Sequence, residues 1–450
     1  MQYEEGSDAS KRLQALAEVS PTTADFLIDN PEMTLGQYAV SLYENDGHEP
    51  TSREIDAREM FITVMEKWAI FQYGDKAAKV AMEQFRETPV MQTADHLQLI
   101  LDPATFSTNL ISRIGAKGTG QRFTFVNASS TVTMKTRSGV GPGYLDIDGQ
   151  KISIFGISSN KMSKMMVGST ARAVEFLWDG AQNILSEKIR TEFKEIQDTV
   201  KSFTSSKFGG LFSSPADAFI TANTAISRKW DTDNEVLPVY TDDRLVAELI
   251  ALHIETNSHE LCTLLFDEDT RSRWMKLQDS HTDANAKALP NTTDHFWRIR
   301  EGRLRPLKLI NNELIELGRG EAPIPFNREC ISKALRDGEI MPNLTLGFLA
   351  ISILPGVKVL GGPSQNEYLP LIAHDASQAL DDMTLKTRSG WIAGVLELER
   401  PPIELVSECK PGVKLEELSI HFQELPLSAA VGELNFFEYF RSWTNDAPVL

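Results

Sequence analysis

The sequence predicts an α/β protein with a three-layer core, a mainly parallel sheet, a helical region before it and a helical insertion within it. Three observations carry that expectation. Residues 89–126 read as strand, loop, helix, turn, strand, the unit that builds parallel sheets. Residues 169–229 read as long helices with no strand signal. After residue 231 the alternation of short β-rich runs with helical segments returns.

The elements follow in order. Residues 1–88 read as helical: Thr51 with Glu54 three residues on forms a capping-box pattern, and Met60, Phe61, Val64, Met65 and Trp68 recur at helical spacing. Beyond Pro89, Val90–Ala94 reads as a buried strand that ends at the polar pair Asp95-His96. Asp102-Pro103 opens a helix with a capping residue and a first-turn proline, and Gly115 stands where its C-terminal cap is expected. The turn over 115–120 leads into a strand at Arg122–Val126. It lacks the GxxxxGK[ST] pattern and precedes a strand, so it reads as a turn and not a phosphate loop.

From Thr131 to Val167, short runs broken by Gly139, Gly141-Pro142-Gly143 and Asp148-Gly149 predict an antiparallel patch. The insertion follows, with Phe176, Leu177, Ile184, Ile189 and Phe193 on one helical stripe. Further strands are expected at Val236–Tyr240, Leu261–Phe266 and Val357–Leu360. Helices are expected at Asp242–Glu255, Thr270–Gln278, Arg328–Arg336, Asn343–Leu354 and Asn366–Leu380. This divides the chain into an N-terminal helical region (1–88), a first part of the core with the antiparallel patch (89–167), the insertion (168–230), a second part of the core (231–385) and a C-terminal cap (386–450).

Composition bounds the function. The 450 residues carry 45 Lys and Arg against 63 Asp and Glu, a formal net charge of −18, which argues against a nucleic-acid partner. No apolar run reaches the length of a membrane span and the first residues lack the order of a signal peptide, so a cytoplasmic protein without a membrane partner is expected. Cys262, Cys330 and Cys409 form no CxxC pair, which speaks against a disulfide framework or a cysteine zinc site.

In open α/β sheets ligands gather outside the carboxyl ends of the strands, and that rule selects the candidate site. After the first strand come Asp95, His96 and Gln98; after the second, Asn127, Ser129 and Ser130. After the strand near 357–360 come Gly361, Gly362 and Ser364, which would let a backbone-lined anion approach a capped helix, and then Gln365 and Tyr368 on one helix face. His96 is the expected general acid/base, with Asp95 orienting it or binding an ammonium group. Gln98, Asn127, Ser129, Ser130, Gln365 and Tyr368 would read polar groups of a substrate, and Gly361, Gly362 and Ser364 a cofactor. His253 and His259, with Glu255, Glu260 and the acidic run 267–269, match no metal-ligand spacing and read as a solvated acidic surface.

One stretch resembles a known family. The order Pro342-Asn343, Leu354-Pro355, Gly361-Gly362-Pro363 and Tyr368 is similar to the pattern of the cysteine-adding enzymes of bacillithiol biosynthesis, the cysteine ligases of that thiol. The segment 294–305 is similar to the aromatic, Gly, Arg segment of that family, and Thr93 and Pro103 stand where its first loop carries a Thr and a Gly-Pro. Departures are Gly347-Phe348 for Arg-Pro, Gln365 for Glu, Asp95-His96 for two glutamines, and residues 127–131 for an acidic, histidine-bearing motif. No counterpart of a C-terminal coiled coil is evident. The resemblance implies a Rossmann-like core and a divergent ligase.

The leading expectation is thus a biosynthetic enzyme that joins an amino acid or amine to a small acceptor by C–N or C–X bond formation, between the 95–98 and 361–368 loops. ATP or another nucleotide is the candidate cofactor and a homodimer the candidate assembly. A noncatalytic binding or assembly protein on the same core is the alternative, and a metal-dependent hydrolase a third reading.

Overall fold

The local signals at the start of the chain are realised as capped helices. In the computed structural model, which describes residues 17, 20–30, 32–135, 141–147, 150–170, 173–177, 186–208, 211–232, 235–280, 293–317, 322–396, 398 and 400–427, Thr51 and Glu54 close a capping box at the helix Ser52–Tyr73. Asp102 accepts hydrogen bonds from the amides of Ala104 and Thr105 at the helix Pro103–Gly118. These side chains satisfy amides that have no partner inside the helix.

The core is a five-stranded parallel sheet. β1 (Val90–Gln92), β2 (Phe123–Ala128), β5 (Leu237–Asp242), β11 (Lys358–Gly361) and β12 (Ser389–Trp391) lie in the order β12-β11-β1-β2-β5, every neighbouring pair parallel. The chain therefore winds outward from β1 through β2 to β5, then returns and winds the other way from β11 to β12. The reversal falls between β1 and β11. All six residues of β2 and of β5 are buried, and polar Asn127, Thr241 and Asp242 stand at their carboxyl ends.

Two smaller sheets complete the strands. β3 (Tyr144–Ile147) and β4 (Gln150–Ser153) form an antiparallel pair within the expected antiparallel patch, while Gly139 and residues 148–149 lie outside the described residues. β6 (Phe296–Arg300), β7 (Arg303–Ile310), β8 (Glu313–Glu316), β9 (Ile324–Pro325) and β10 (Ile340–Pro342) form an antiparallel sheet in the order β10-β6-β7-β8-β9. The insertion supplies the helices Glu187–Phe208 and Pro215–Trp230. A C-terminal helix, Lys414–Gln423, packs back on Pro103–Gly118. No helix among the described residues is long and apolar enough to cross a membrane.

Several local expectations are corrected. Leu261–Phe266 is not a strand but most of a helix, His259–Phe266, that buries Leu261, Cys262, Leu264 and Leu265. Gly115 does not cap its helix: the helix runs on to Gly118 with Thr119 as its cap. A Cβ at Gly115 would stand 2.3 Å from the Ala39 carbonyl oxygen, so the glycine is there to let the helix Leu35–Tyr43 approach. Phe176 and Leu177 lie outside any helix, Phe176 buried and stacked 5.1 Å from Phe155, and Leu177 exposed; Ile184 lies outside the described residues. The helix expected over Asn343–Leu354 is capped by Asn343 and changes after Phe348 into a π-helical turn, Leu349–Ile353.

His253 is also not on a solvated surface. It is 0% exposed, both ring nitrogens lack a hydrogen-bond partner among the described residues, and burial lowers its pKa to about 4. An unfolded histidine takes a proton below about pH 6.5 and this folded one does not, so the stability it contributes is whole above pH 6.5 and drains away as the pH falls toward 4. Between pH 7 and pH 5 the ring accounts for a loss of about 2 kcal/mol. Urea unfolding of His253→Leu at the two pH values should show a smaller acid loss than the native chain; equal losses would contradict this.

Candidate functional site

The carboxyl ends of β1 and β2 are tied together beyond the strands. His96 forms a parallel bridge with Ser129, through Ser129 N–H to the Asp95 carbonyl at 2.8 Å and Leu97 N–H to the Ser129 carbonyl at 2.9 Å. The loops after these two strands are therefore neighbours, and the sequence-selected residues Asp95, His96, Gln98, Asn127, Ser129 and Ser130 occupy one edge of the sheet.

Their chemistry differs from expectation. His96, the expected general acid/base, is half-buried, and desolvation pushes its pKa down to about 4, which keeps it neutral at pH 7. Asp95 does not orient it. The Asp95 carboxyl is buried and is met by the Thr108 hydroxyl at 2.8 Å and 2.9 Å, Gln92 Nε2 at 2.6 Å and Asn109 Nδ2 at 3.4 Å. Burial raises its pKa to about 8, ahead of the opposing effect of these hydrogen bonds. The titratable group near neutrality at this edge is thus the carboxyl. Gln92 Oε1 is buried and without a partner among the described residues, and a turned Gln92 amide would accept the proton of a neutral Asp95 there.

Asn109 continues the network. Its Oδ1 accepts from the buried Tyr240 hydroxyl at 2.9 Å, and the residue lines a small cleft, partly open to solvent, with Arg113, Ser227 and apolar walls. Gln98 Nε2 donates to the Thr105 hydroxyl at 3.0 Å. Thr241 donates to Asn127 Oδ1 at 3.0 Å.

Ser129 and Ser130 serve a carboxylate of this chain. Asp243, on the first turn of the helix after β5, accepts the Ser130 and Thr131 amides at 2.9 and 2.8 Å and the Ser129 hydroxyl at 3.1 Å. Burial nevertheless moves its pKa up. Asp243 was missed in the sequence, although the rule that selects residues after each strand reaches it once β5 is extended to Asp242.

Across the reversal, the end of β11 is built around one amide. Gly361 is the last residue of that strand, and neither it nor Gly362 has a positive φ. Gly361 is small because Gln365 folds back over it: an added Cβ would lie 1.7 Å from Gln365 Oε1. That oxygen accepts from Thr93 Oγ1 at 3.0 Å, which links the ends of β1 and β11, and Gln365 Nε2 is left buried with no partner among the described residues. Gln365 is 2% exposed. Ser364 makes no side-chain cap, since its backbone is already helical. Tyr368 turns away from this edge, its ring 5.5 Å from Phe348 and its hydroxyl pKa raised by burial. The helix Pro21–Asp29 closes over this corner, with Ser20 Oγ donating to Glu367 at 2.9 Å and Asn366 Nδ2 to Thr23 Oγ1 at 3.2 Å.

The structure therefore brings together two groups of expected residues, one after β1 and β2 and one after β11, joined by Thr93. Among the described residues no three His, Cys, Asp or Glu side chains are grouped as a metal ion would require. No protein-family model and no curated protein matches the chain.

Proposed function

We propose that the chain is a biosynthetic enzyme of ligase or transferase type that joins an amino acid or amine to a small acceptor at the carboxyl edge of β1 and β11. The observation that carries the proposal is the buried Gln365 amide, which offers an unpartnered N–H where the sheet order reverses. The reversal of strand order between β1 and β11 supports reading the sheet as doubly wound and Rossmann-like, a kind of sheet whose ligands sit in the crevice at such a point. The resemblance to cysteine ligases supports the amino-acid substrate, with ATP or another nucleotide as the activating cofactor and a cytoplasmic homodimer as the working form.

Roles follow from the geometry. A substrate carbonyl or carboxylate would accept from Gln365 Nε2, relieving a donor that costs free energy while unpaired. Asp95, neutral at pH 7, would supply the proton that His96 cannot. Gln98, Asn127, Ser129 and Ser130 shape the edge through the bonds already described, and Gly361, Gly362 and Ser364 frame the turn. The alternative, a noncatalytic binding or assembly protein, draws its support from the internal pairing of Ser129, Ser130 and Gln98.

Each amino acid is offered to the purified protein with ATP, and its consumption and its binding are measured. The enzyme reading expects steady consumption of one of them. In Gln365→Leu its affinity should fall about 10-fold, because the donor to the substrate is removed. Saturable binding without consumption would favour the alternative, and an affinity unchanged in Gln365→Leu would remove that residue from the site.

A further inference from the structure

The corner around Gln365 is sealed. Its unpartnered N–H is buried, so nothing from solvent reaches that donor while the cover stays in place. One part of the cover, the helix Pro21–Asp29, is held lightly. Its nine residues are too few for a helix that is stable by itself, and it buries Thr23, Ala24 and Leu27 alone, with Phe26 half-buried 5.5 Å from the Tyr38 ring.

A polar chain holds its first turn. Asn366 Nδ2 donates to Thr23 Oγ1 at 3.2 Å, Thr23 Oγ1 and Ser20 Oγ stand 2.8 Å apart, and Ser20 Oγ donates to Glu367 Oε1 at 2.9 Å. A hydroxyl has one proton, so Ser20, which gives its own to Glu367, accepts from Thr23. The three bonds therefore run in one direction, and both ends stand on the first turn of the helix Gln365–Leu380. Ser20 and Thr23 are buried, so loss of the Thr23 hydroxyl breaks the chain with no water to replace it. Asn366 Oδ1 and Gln365 Nε2, buried in the same turn without partners among the described residues, cost the closed arrangement free energy that exposure to water would return.

Past Asn30 the chain is anchored. Leu427 N–H binds the Met33 carbonyl at 2.8 Å, Leu35 N–H binds the Leu425 carbonyl at 2.8 Å, and the Tyr38 hydroxyl binds the Trp391 carbonyl at the end of β12. The helix is thus fixed beyond its C-terminal end and latched by polar bonds at its N-terminal end. On the reading of this corner as the substrate site, we propose that the helix Pro21–Asp29 is a hinged lid, latched by the chain Asn366, Thr23, Ser20, Glu367, whose opening admits a ligand to Gln365.

Hydrogen exchange of the native chain and thiol labelling at position 365 test this without any substrate. Amides of residues 25–29 should exchange at least about 10²-fold faster than those of residues 39–43 in the anchored helix Leu35–Tyr43, as in an element that opens alone. Ser20 also caps the lid helix, so Thr23 is the position to change. In Gln365→Cys, alkylation of the new thiol by iodoacetamide is read by peptide mass spectrometry, apart from that of Cys262, Cys330 and Cys409. Adding Thr23→Val should speed it about 10-fold, and adding Thr22→Val, at an exposed position outside the chain, should leave it unchanged. Exchange over 39–43 should not change in Thr23→Val; a rise there equal to the rise over 25–29 would show that the hydroxyl holds the whole fold and not a lid. Equal protection of the two segments, or equal alkylation with and without the Thr23 hydroxyl, would overturn the proposal. No amino acid or ATP is used, so such a failure leaves the substrate reading standing, and a failure to consume any amino acid leaves the lid.

Discussion

Lys414→Met is expected to cost about 3–5 kcal/mol of stability, the usual effect of stranding a buried charge. Lys414 on the C-terminal helix pairs with Glu192 on the insertion helix, and both side chains are 7% exposed. Without the lysine, Glu192 keeps the Trp230 indole N–H, at 3.2 Å, as its remaining hydrogen-bond donor among the described residues, inside a packed interface. A neutral methionine of similar length preserves most of the packing, so the loss reports the uncompensated carboxylate. Urea unfolding should show a large fall in midpoint for Lys414→Met, and most of it should return in the double variant Lys414→Met/Glu192→Gln. Were the double variant as weak as the single one, lost packing and not charge would be the cause.

For Asp95→Asn the expected effect is a change in the pH dependence of both stability and turnover. The carboxyl has a pKa of about 8 when folded against 3.8 as its ordinary value. Between those values the folded chain holds a proton that the unfolded chain releases, so stability is full below about pH 4 and falls as the pH rises, by about 1.4 kcal/mol per unit. Across the whole window this single group accounts for about 6 kcal/mol. Asp95→Asn, which cannot ionise, should be clearly more stable than the native chain at pH 8 and no more stable at pH 4. If Asp95 also donates the catalytic proton, native turnover falls above about pH 8 and the variant loses about 10²–10⁴-fold at pH 7. Equal stability slopes in the two proteins would show that the carboxyl is ionised throughout, and unchanged turnover would take it out of the mechanism.

What the sequence determined by itself is what depends on near neighbours. Thr51 and Asp102 cap helices because the amides they serve lie two and three residues away. The helix Arg328–Arg336 has the expected bounds, and β1, β2, β5 and β11 fall within two residues of theirs. Leu261–Phe266 failed because a six-residue apolar run has no measurable period, and only packing against neighbouring elements makes it helical. Positions at the candidate site were legible too, since the ends of strands can be counted; their chemistry was not. Ser129 and Ser130 are occupied by Asp243, and Gln365 folds onto Gly361 and Thr93, through contacts between segments far apart in the chain. The ordinary pKa values of His96 and Asp95 point one way, and burial, which no local pattern encodes, reverses which of them can titrate near neutrality. Four arginines between 298 and 305 are visible in the sequence, but strand register alone sets them opposite one another on a single face, because side-chain direction alternates along each strand and pairing fixes which alternations coincide.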